Sequence, residues 1–582
     1  MHDTLQAKIM NKLIRIIFGL VIVFGFGQVV FGATYNVTND NDMNDGICDN
    51  SCSLREAIAA ANATPDNDVI RFSPLFNFPK TIILNGTDII ITNNGTLVIE
   101  GPGNDKLTVS GNNASRVFTN NTGAVATINN LRVTGGNGVS TVSTGRGGGI
   151  YNSGGVLSLN NLILTGNMTS NGGALNNAGT ATLNINNCAI FNNSSTGAGG
   201  ALQNFSGNTT NISNSSIYGN VSNSNITGGG AMQANGTVNI TNTTIANNTA
   251  TSGSGGGIYF NGTALNITNS TIAGNIATLN GGGIHKSTSN PGVVRNTIIA
   301  NNNGDAASPD ATGIFISEGN NIIGNVGTAT GWIMSDQQNV NPVLSPLGFY
   351  GGTGLSFALL TTSPALDAGQ NCVTNLTCAT NNPLIALTTD QRGAARPFNS
   401  TVDIGAFESS TTYIAAMPRA RNQYFYSVDI APNVGMSSYS LTAGTLPTGI
   451  SFATITTVAT VSGTPLQTGI FEFTITVNTS GNTTAVKYAL TVFSEAANAS
   501  ISGRVLRADG SPLSGVAVSV TDRYGIVRRT LSSSFGYYSF DQLNISETYQ
   551  IQVNSKTYTF NPGTINYTVI DTANNVNFTA NP

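Results

Sequence analysis

The block NITNTTIANNTATSGSGGGIYF, which begins at Asn239, is echoed by NITNSTIAGNIATLNGGGIHK and more loosely on either side, with a period of about 27 residues. Leu164, Ile190, Ile217, Ile245, Ile272 and Ile299 recur together with Asn167, Asn193, Asn220, Asn248, Asn275 and Asn302, each three residues further on. One period holds two or three short alternating segments, such as Leu265-Asn266-Ile267 and Thr271-Ile272, separated by Gly and Asn that supply positive-φ turns. A single period cannot bury its apolar face alone. Stacked as coils about 4.8 Å apart, the segments form parallel sheets in which like residues sit above like residues and Asn side chains hydrogen-bond along the stack. The repeat therefore predicts an all-β chain whose body is a right-handed parallel β-helix solenoid.

Composition agrees with this and narrows the function. Only 9% of the 582 residues are charged while 68 are Gly, too few charges for a surface of ordinary helices. The net charge is −4 and no basic run follows the start, so nucleic acid is not an expected partner. Lys8, Lys12 and Arg15, then the apolar run Ile16 to Phe31, then Gly32-Ala33, follow the order of a secretory signal. The run is shorter than a spanning helix needs, so residues 1–33 read as a signal peptide cleaved near Ala33, with an uncleaved anchor as the alternative. No later segment is apolar enough to cross a membrane. Because the sequence runs out at Asn581-Pro582 with no hydrophobic tail, surface attachment is expected to rest elsewhere.

In an exported chain, Cys48 with Cys52 and Cys372 with Cys378 read as local disulfides, since a zinc site would need a further Cys or His pair that is absent. Cys188 occupies the repeat position of Ser215, Thr243, Ser270 and Thr297 and reads as a small buried stacking residue. The Asn-x-Ser/Thr triplets follow from the Asn and Thr ladders and are read as structural. The Gly runs at Gly147, Gly228, Gly255 and Gly281 each open a strand, not a helix, and read as turns, not phosphate cradles.

A stacked solenoid needs caps at its open edges. Ser53-Leu54-Arg55-Glu56 is a capping box, and Leu54, Ala57, Ile58 and Ala61 fall on one helical face, which predicts a helical lid tethered by the Cys48–Cys52 pair. CSLREAIAAAN resembles the opening signature of bacterial exported CSLREA-domain proteins of the pectin-lyase-like superfold. SPALDAG, Asp390-Gln391-Arg392-Gly393, Arg396-Pro397 and Asp403-Ile404-Gly405-Ala406-Phe407-Glu408 resemble the terminal, choice-of-anchor block of the same proteins. Together they bracket a solenoid over residues 34–410. LTAGTLPTGISF and VSGTPLQTGIFEFTITV, within 420–494, resemble immunoglobulin-like modules of bacterial surface proteins. ISGRVLRADGSPLSGVAVSVTD and FGYYSFDQL, within 498–580, resemble the carboxypeptidase regulatory-like domain, a transthyretin-like sandwich. The resemblance implies spacer or weak binding modules, without catalysis.

The superfold also includes polysaccharide lyases and hydrolases, which need carboxylates for calcium or for acid and base. Between Lys106 and Gly304 there is no Asp or Glu, so the central coils offer neither. Asp390, Arg392, Arg396, Asp403 and Glu408 read as an ion-pair network closing the last coil, with a catalytic or calcium site there as the alternative. No catalytic residue, metal ligand or cofactor is assigned. A stripe of Tyr151, Leu175, Leu202, Met232, Tyr259 and His285, each after a Gly run, is expected to face outward and contact sugars or a partner protein. The expected function is that of a secreted or cell-surface protein for adhesion, matrix or glycan contact. The alternatives are a polysaccharide-active enzyme and a plain surface spacer.

Overall fold

The computed structural model describes residues 32–581 except 93–94, 226, 308, 381–382, 384, 433–436, 456–457, 494–497, 522–526, 545–547, 556 and 569–575. The charged and apolar leader, residues 1–31, lies outside the described residues. Each central coil turns through three strands and a short fourth. In one coil these are Ile258–Phe260 (sheet I), Ala264–Thr268 (sheet II), Thr271–Ala273 (sheet III) and Ile276–Ala277 at a corner. Parallel stacking gives nine strands in sheet I, eleven each in sheets II and III, and five at the corner. The corner strand is a segment that the periodicity left unassigned.

The register follows the repeat. Leu164 pairs with Ile190, Ile190 with Ile217, Ile217 with Ile245, Ile245 with Ile272, and Ile272 with Ile299. All six are fully buried. Alternation within a strand then decides which side chains face out. In Ala264–Thr268, Leu265 and Ile267 enter the core while Asn266 stays half-exposed. Asn161, Asn187, Asn214, Asn242, Asn269 and Asn296 form a column at the bend from sheet II to sheet III, with φ between 44° and 56°. Asn tolerates the left-handed region better than other non-Gly residues, which explains its recurrence there.

Each Gly run divides its labour. Gly199 takes φ +70°, whereas a Cβ on Gly200 would lie 2.1 Å from the Gly230 carbonyl oxygen of the next coil. The turn needs the first glycine for its torsion and the second for close approach.

Inside the corner, Asn167, Asn193, Asn220, Asn248, Asn275 and Asn302 form a buried amide ladder. Each donates Nδ2–H to Oδ1 of the next at 2.8–3.0 Å. Asp310 stops it: the backbone N–H and Nδ2–H of Asn302 both donate to Asp310 Oδ1. A second column runs through Cys188, Ser215, Thr243, Ser270 and Thr297, each accepting at its sulfur or hydroxyl an N–H from the preceding coil. It continues through Asn321, whose N–H and Nδ2–H reach Asp336. Cys188 is thus a buried rung, and burial pushes its thiol up to about 12.

The N-terminal lid is the helix α1, Leu54–Asn62. Ser53 Oγ accepts from Glu56 N–H, and Glu56 Oε2 accepts from Ser53 N–H at 2.7 Å. Leu54, Ala57, Ile58 and Ala61 pack into the solenoid core. Disulfides join Cys48 to Cys52 and Cys372 to Cys378.

After Gln337–Gln338 the chain leaves the stack. Contrary to the expectation that Asp390–Glu408 would close the last coil, this block lies along the outer face of sheet III, against coils far upstream. Thr353 Oγ1 donates to Asn161 Oδ1 and Ser216 Oγ to the Leu355 carbonyl. Asn242 Nδ2 donates to the Thr389 carbonyl, and Ala406 N–H to Thr271 Oγ1. The two ladders end on Asp310 and Asp336 instead, which accept from Asn302 and Asn321.

The next domain pairs a five-stranded sheet with a three-stranded one over Ile414–Phe493. It shares its core with the flanking block through Tyr350, Phe407 and Tyr488. Tyr488 Oη donates to the Phe349 carbonyl, and Phe349 N–H to that of Ile430. The last domain, from Asn498, pairs sheets of three and four strands around its own core, which includes Ile501, Val518, Phe540 and Ile551.

Candidate functional site

Over the coils from Asn184 to Asn266, the outward middle positions of sheet II form an uncharged polar face. Asn266, Asn239, Asn211 and Asn184 stack there, each donating Nδ2–H to the residue one coil back at 2.8 Å, the last donating to Ser158 Oγ at 3.2 Å. All four are half-exposed, unlike the corner ladder. Beside them Thr380, Pro383, Ile385 and Leu387, which follow the Cys372–Cys378 disulfide, line the other side as a wall. Floor and wall enclose a groove of about 610 Å³. Leu387 anchors the wall by packing on Val373 and Val402, while Ile385 is 76% exposed. At the far end Glu318 Oε2 lies 2.7 Å from Arg295 Nη2, so its charge is paired. Neither the Asn floor nor the wall was singled out from the sequence. The floor was legible in principle, as the middle Asn of each Ala-Leu-Asn-Ile-Thr-like segment. The wall comes from outside the repeat and left no periodic signal.

The stripe drawn from the sequence is corrected. Ile150 pairs with Leu175, whereas Tyr151 pairs with Asn176. Leu175, Leu202 and Met232 therefore join Ile150, Ile258 and Ile284 in the inward column. The slip arises because Ala174, Ala201 and Ala231 occupy the place of the third glycine, Gly149 or Gly257, and not the place of Ile150 or Ile258. Tyr151, Tyr259 and His285 occupy the alternate column with Asn176, Gln203 and Gln233. They too are largely covered: Tyr151 is 3% and Tyr259 9% exposed. Arg116 lies 5.0 Å from the Tyr151 ring centroid, and His285 Nδ1 lies 2.6 Å from Thr312 Oγ1. No continuous apolar stripe faces solvent.

Asp390, Arg392, Arg396, Asp403 and Glu408 form one buried network. Asp390 lies 2.8 Å from Arg392 Nη2 and also accepts the backbone N–H groups of Arg392, Ala394 and Glu408. Glu408 lies 3.4 Å from Arg396 and accepts from Phe398 and Asp403 N–H. Arg392 stacks over Phe407 and Tyr413 at 3.5 and 4.6 Å. Burial, and then the neighbouring Glu408 carboxylate, push Asp403 up to about 7; burial likewise raises Glu408 and Asp310. The folded state holds these protons more tightly than the unfolded chain. Their contribution to stability is thus full below the ordinary carboxylate range and is lost as pH rises through the folded values. The melting temperature is expected to be higher at about pH 5 than at about pH 8, with Asp403→Asn flattening the difference. A profile that rises from pH 5 to pH 8 would contradict this assignment.

Several buried charges were not anticipated as pairs. Arg116 is fully buried and binds Asp88, Thr119 and the carbonyls of Val142, Ser143 and Arg146. Arg55 holds Asp42 beside the lid at 2.8 Å. Among the described residues, no three His, Cys, Asp or Glu side chains converge as metal ligands, and no helix is long and apolar enough to cross a membrane.

None of the curated proteins matches the chain. Among solved structures, BcpA, the major pilin subunit of Bacillus cereus, aligns at 11% identity and TM-score 0.15, over 28% of this chain and 67% of its own. A variant of that pilin is spanned over 56% of its length. The Bacillus anthracis TIE protein aligns at 14% identity and TM-score 0.15, over 25% of this chain and 35% of its own. An endo-fucoidan hydrolase of glycoside hydrolase family 107 aligns at 14% identity and TM-score 0.13, over 28% of each chain. At these scores the likenesses carry no functional weight. Residues 407–493 match the He_PIG Ig domain family and residues 500–581 the carboxypeptidase regulatory-like domain family. The chain is a parallel β-solenoid carrying an immunoglobulin-like and a carboxypeptidase regulatory-like domain at its C-terminal end.

Proposed function

We propose that this protein is exported and works at the cell surface as a non-catalytic contact protein, binding glycan or matrix through a rigid capped solenoid. The observation that carries the reading is the state of the carboxylates. The central coils have none, and Asp390, Asp403 and Glu408, the group nearest to an acid–base pair, are committed to buried Arg partners and backbone N–H groups. A group so enclosed cannot reach a polymer. The secretory order of residues 1–33, the two disulfides and the two β-domains behind the solenoid support export and surface display.

The test is a screen of the secreted chain against immobilised polysaccharides and extracellular-matrix proteins, with parallel assay of released reducing or unsaturated ends. Retention on at least one surface without product release is the expected result. Release of oligosaccharide ends would overturn the reading in favour of a polysaccharide-active enzyme, and failure to bind any surface would reduce the solenoid to a spacer.

A further inference from the structure

We infer that the groove between the Asn stack of sheet II and the Ile385 wall binds one chain of a neutral, unbranched polysaccharide lying along the solenoid axis. This rests on the contact-protein reading and gives it a site and a ligand class.

Three features of the groove point to that occupant. The first is the floor. In Asn184, Asn211 and Asn239 the stacking bonds use one amide N–H and one lone pair of the carbonyl oxygen. An amide carries two N–H donors and two lone pairs, so each rung retains one of each for a ligand, on a half-exposed side chain. Hydroxyls, which both donate and accept, complement such a surface, whereas a carboxylate or ammonium ligand would satisfy half of it and oppose the rest.

The second is charge. The floor residues are uncharged over four successive coils, and the one acidic group in the groove, Glu318, is neutralised by Arg295. A polyanion would find no cation to replace its hydration, and a polycation no free carboxylate. The third is spacing. Coils advance by about 4.8 Å, close to the advance of one pyranose ring along an extended chain, so successive rings meet successive rungs. Ile385 and Pro383 offer the apolar wall that the C–H face of a sugar ring packs against, and the volume lies within the range of small-molecule clefts.

The experiment titrates the full secreted chain by calorimetry with neutral β-1,4-linked hexaoses of glucose, mannose and xylose, and with hexagalacturonate as the charged comparator. Binding of a neutral hexaose, absent for hexagalacturonate, is expected. Ile385→Ser and the double variant Asn211→Ala with Asn239→Ala should each weaken it by about tenfold or more. Ile385 is largely exposed, so its variant keeps the fold even if the double variant does not. Unchanged affinity in Ile385→Ser, or preference for hexagalacturonate, overturns the groove assignment while glycan contact stands. Silence towards every hexaose from a chain that still binds matrix protein overturns the groove alone. Silence towards every surface removes both readings.

Discussion

Asn220→Ala is expected to destabilise the solenoid by about 4 kcal/mol, while Asn239→Ala, one coil on and on the outer face, costs less than about 1 kcal/mol. The residue type is the same; the surroundings differ. Asn220 is fully buried. Its Nδ2 donates to the carbonyls of Ile190 and Tyr218 and to Asn248 Oδ1, and its Oδ1 accepts both the backbone and side-chain N–H of Asn193. Alanine strands these groups away from water. One unsatisfied buried group costs roughly 1–3 kcal/mol, and partial rearrangement keeps the total below the simple sum. Asn239 bonds to Asn211 and Asn266 in a groove open to solvent, where water replaces what is lost. For a domain of this size the difference corresponds to a melting shift of roughly 10 °C. Because each coil contacts only its neighbours, the Asn220 variant should also broaden the transition. Equal melting curves for the two variants would show that the corner ladder is no more than a packing column.

The contrast also marks what the sequence could and could not reveal. The column Leu164 to Ile299 and the ladder Asn167 to Asn302 were legible because stacking turns a one-dimensional period into a vertical line of identical contacts. Cys188 was legible as a rung for the same reason. The capping box was legible because its two bonds span three residues. The outward stripe failed because a reading displaced by one residue exchanges the faces of a strand: Leu175, Leu202 and Met232 point inward, and Tyr151 is covered and meets Arg116. What lay beyond reach was where non-periodic segments dock on the solenoid. The bond from Thr353 to Asn161 joins residues 192 apart, and nothing in either neighbourhood signals it. The groove wall at Ile385 belongs to the same class, so the site emerges only when the chain returns across its own flank.

That return is held by Asp390, and Asp390→Ala is the second substitution expected to have a large effect, about 3–5 kcal/mol on the docking of residues 340–410. Asp390 is 1% exposed and carries four partners in one carboxylate: the Arg392 guanidinium and three backbone N–H groups. Removing it leaves Arg392 charged and buried against Phe407 and Tyr413. A stacked arginine without its counter-ion has to recover hydration, and the least costly way is for the block to lift. The Thr389 and Gln391 contacts to Asn242 and Thr244 go with it. The Ig-like domain shares the core of this block through Tyr350 and Tyr488, so it should be released as well. The expected readout is limited proteolysis cutting between the solenoid and the Ig-like domain in Asp390→Ala but not in the parent, with the solenoid's own β signal retained. Asp390→Asn, which keeps the shape and an acceptor but loses the charge, should fall between the two. If the alanine variant resists protease as the parent does, the flank is held by its apolar contacts and the ion-pair network is incidental to it. Susceptibility in both variants would place the charge itself at the centre of how solenoid and surface domain are joined.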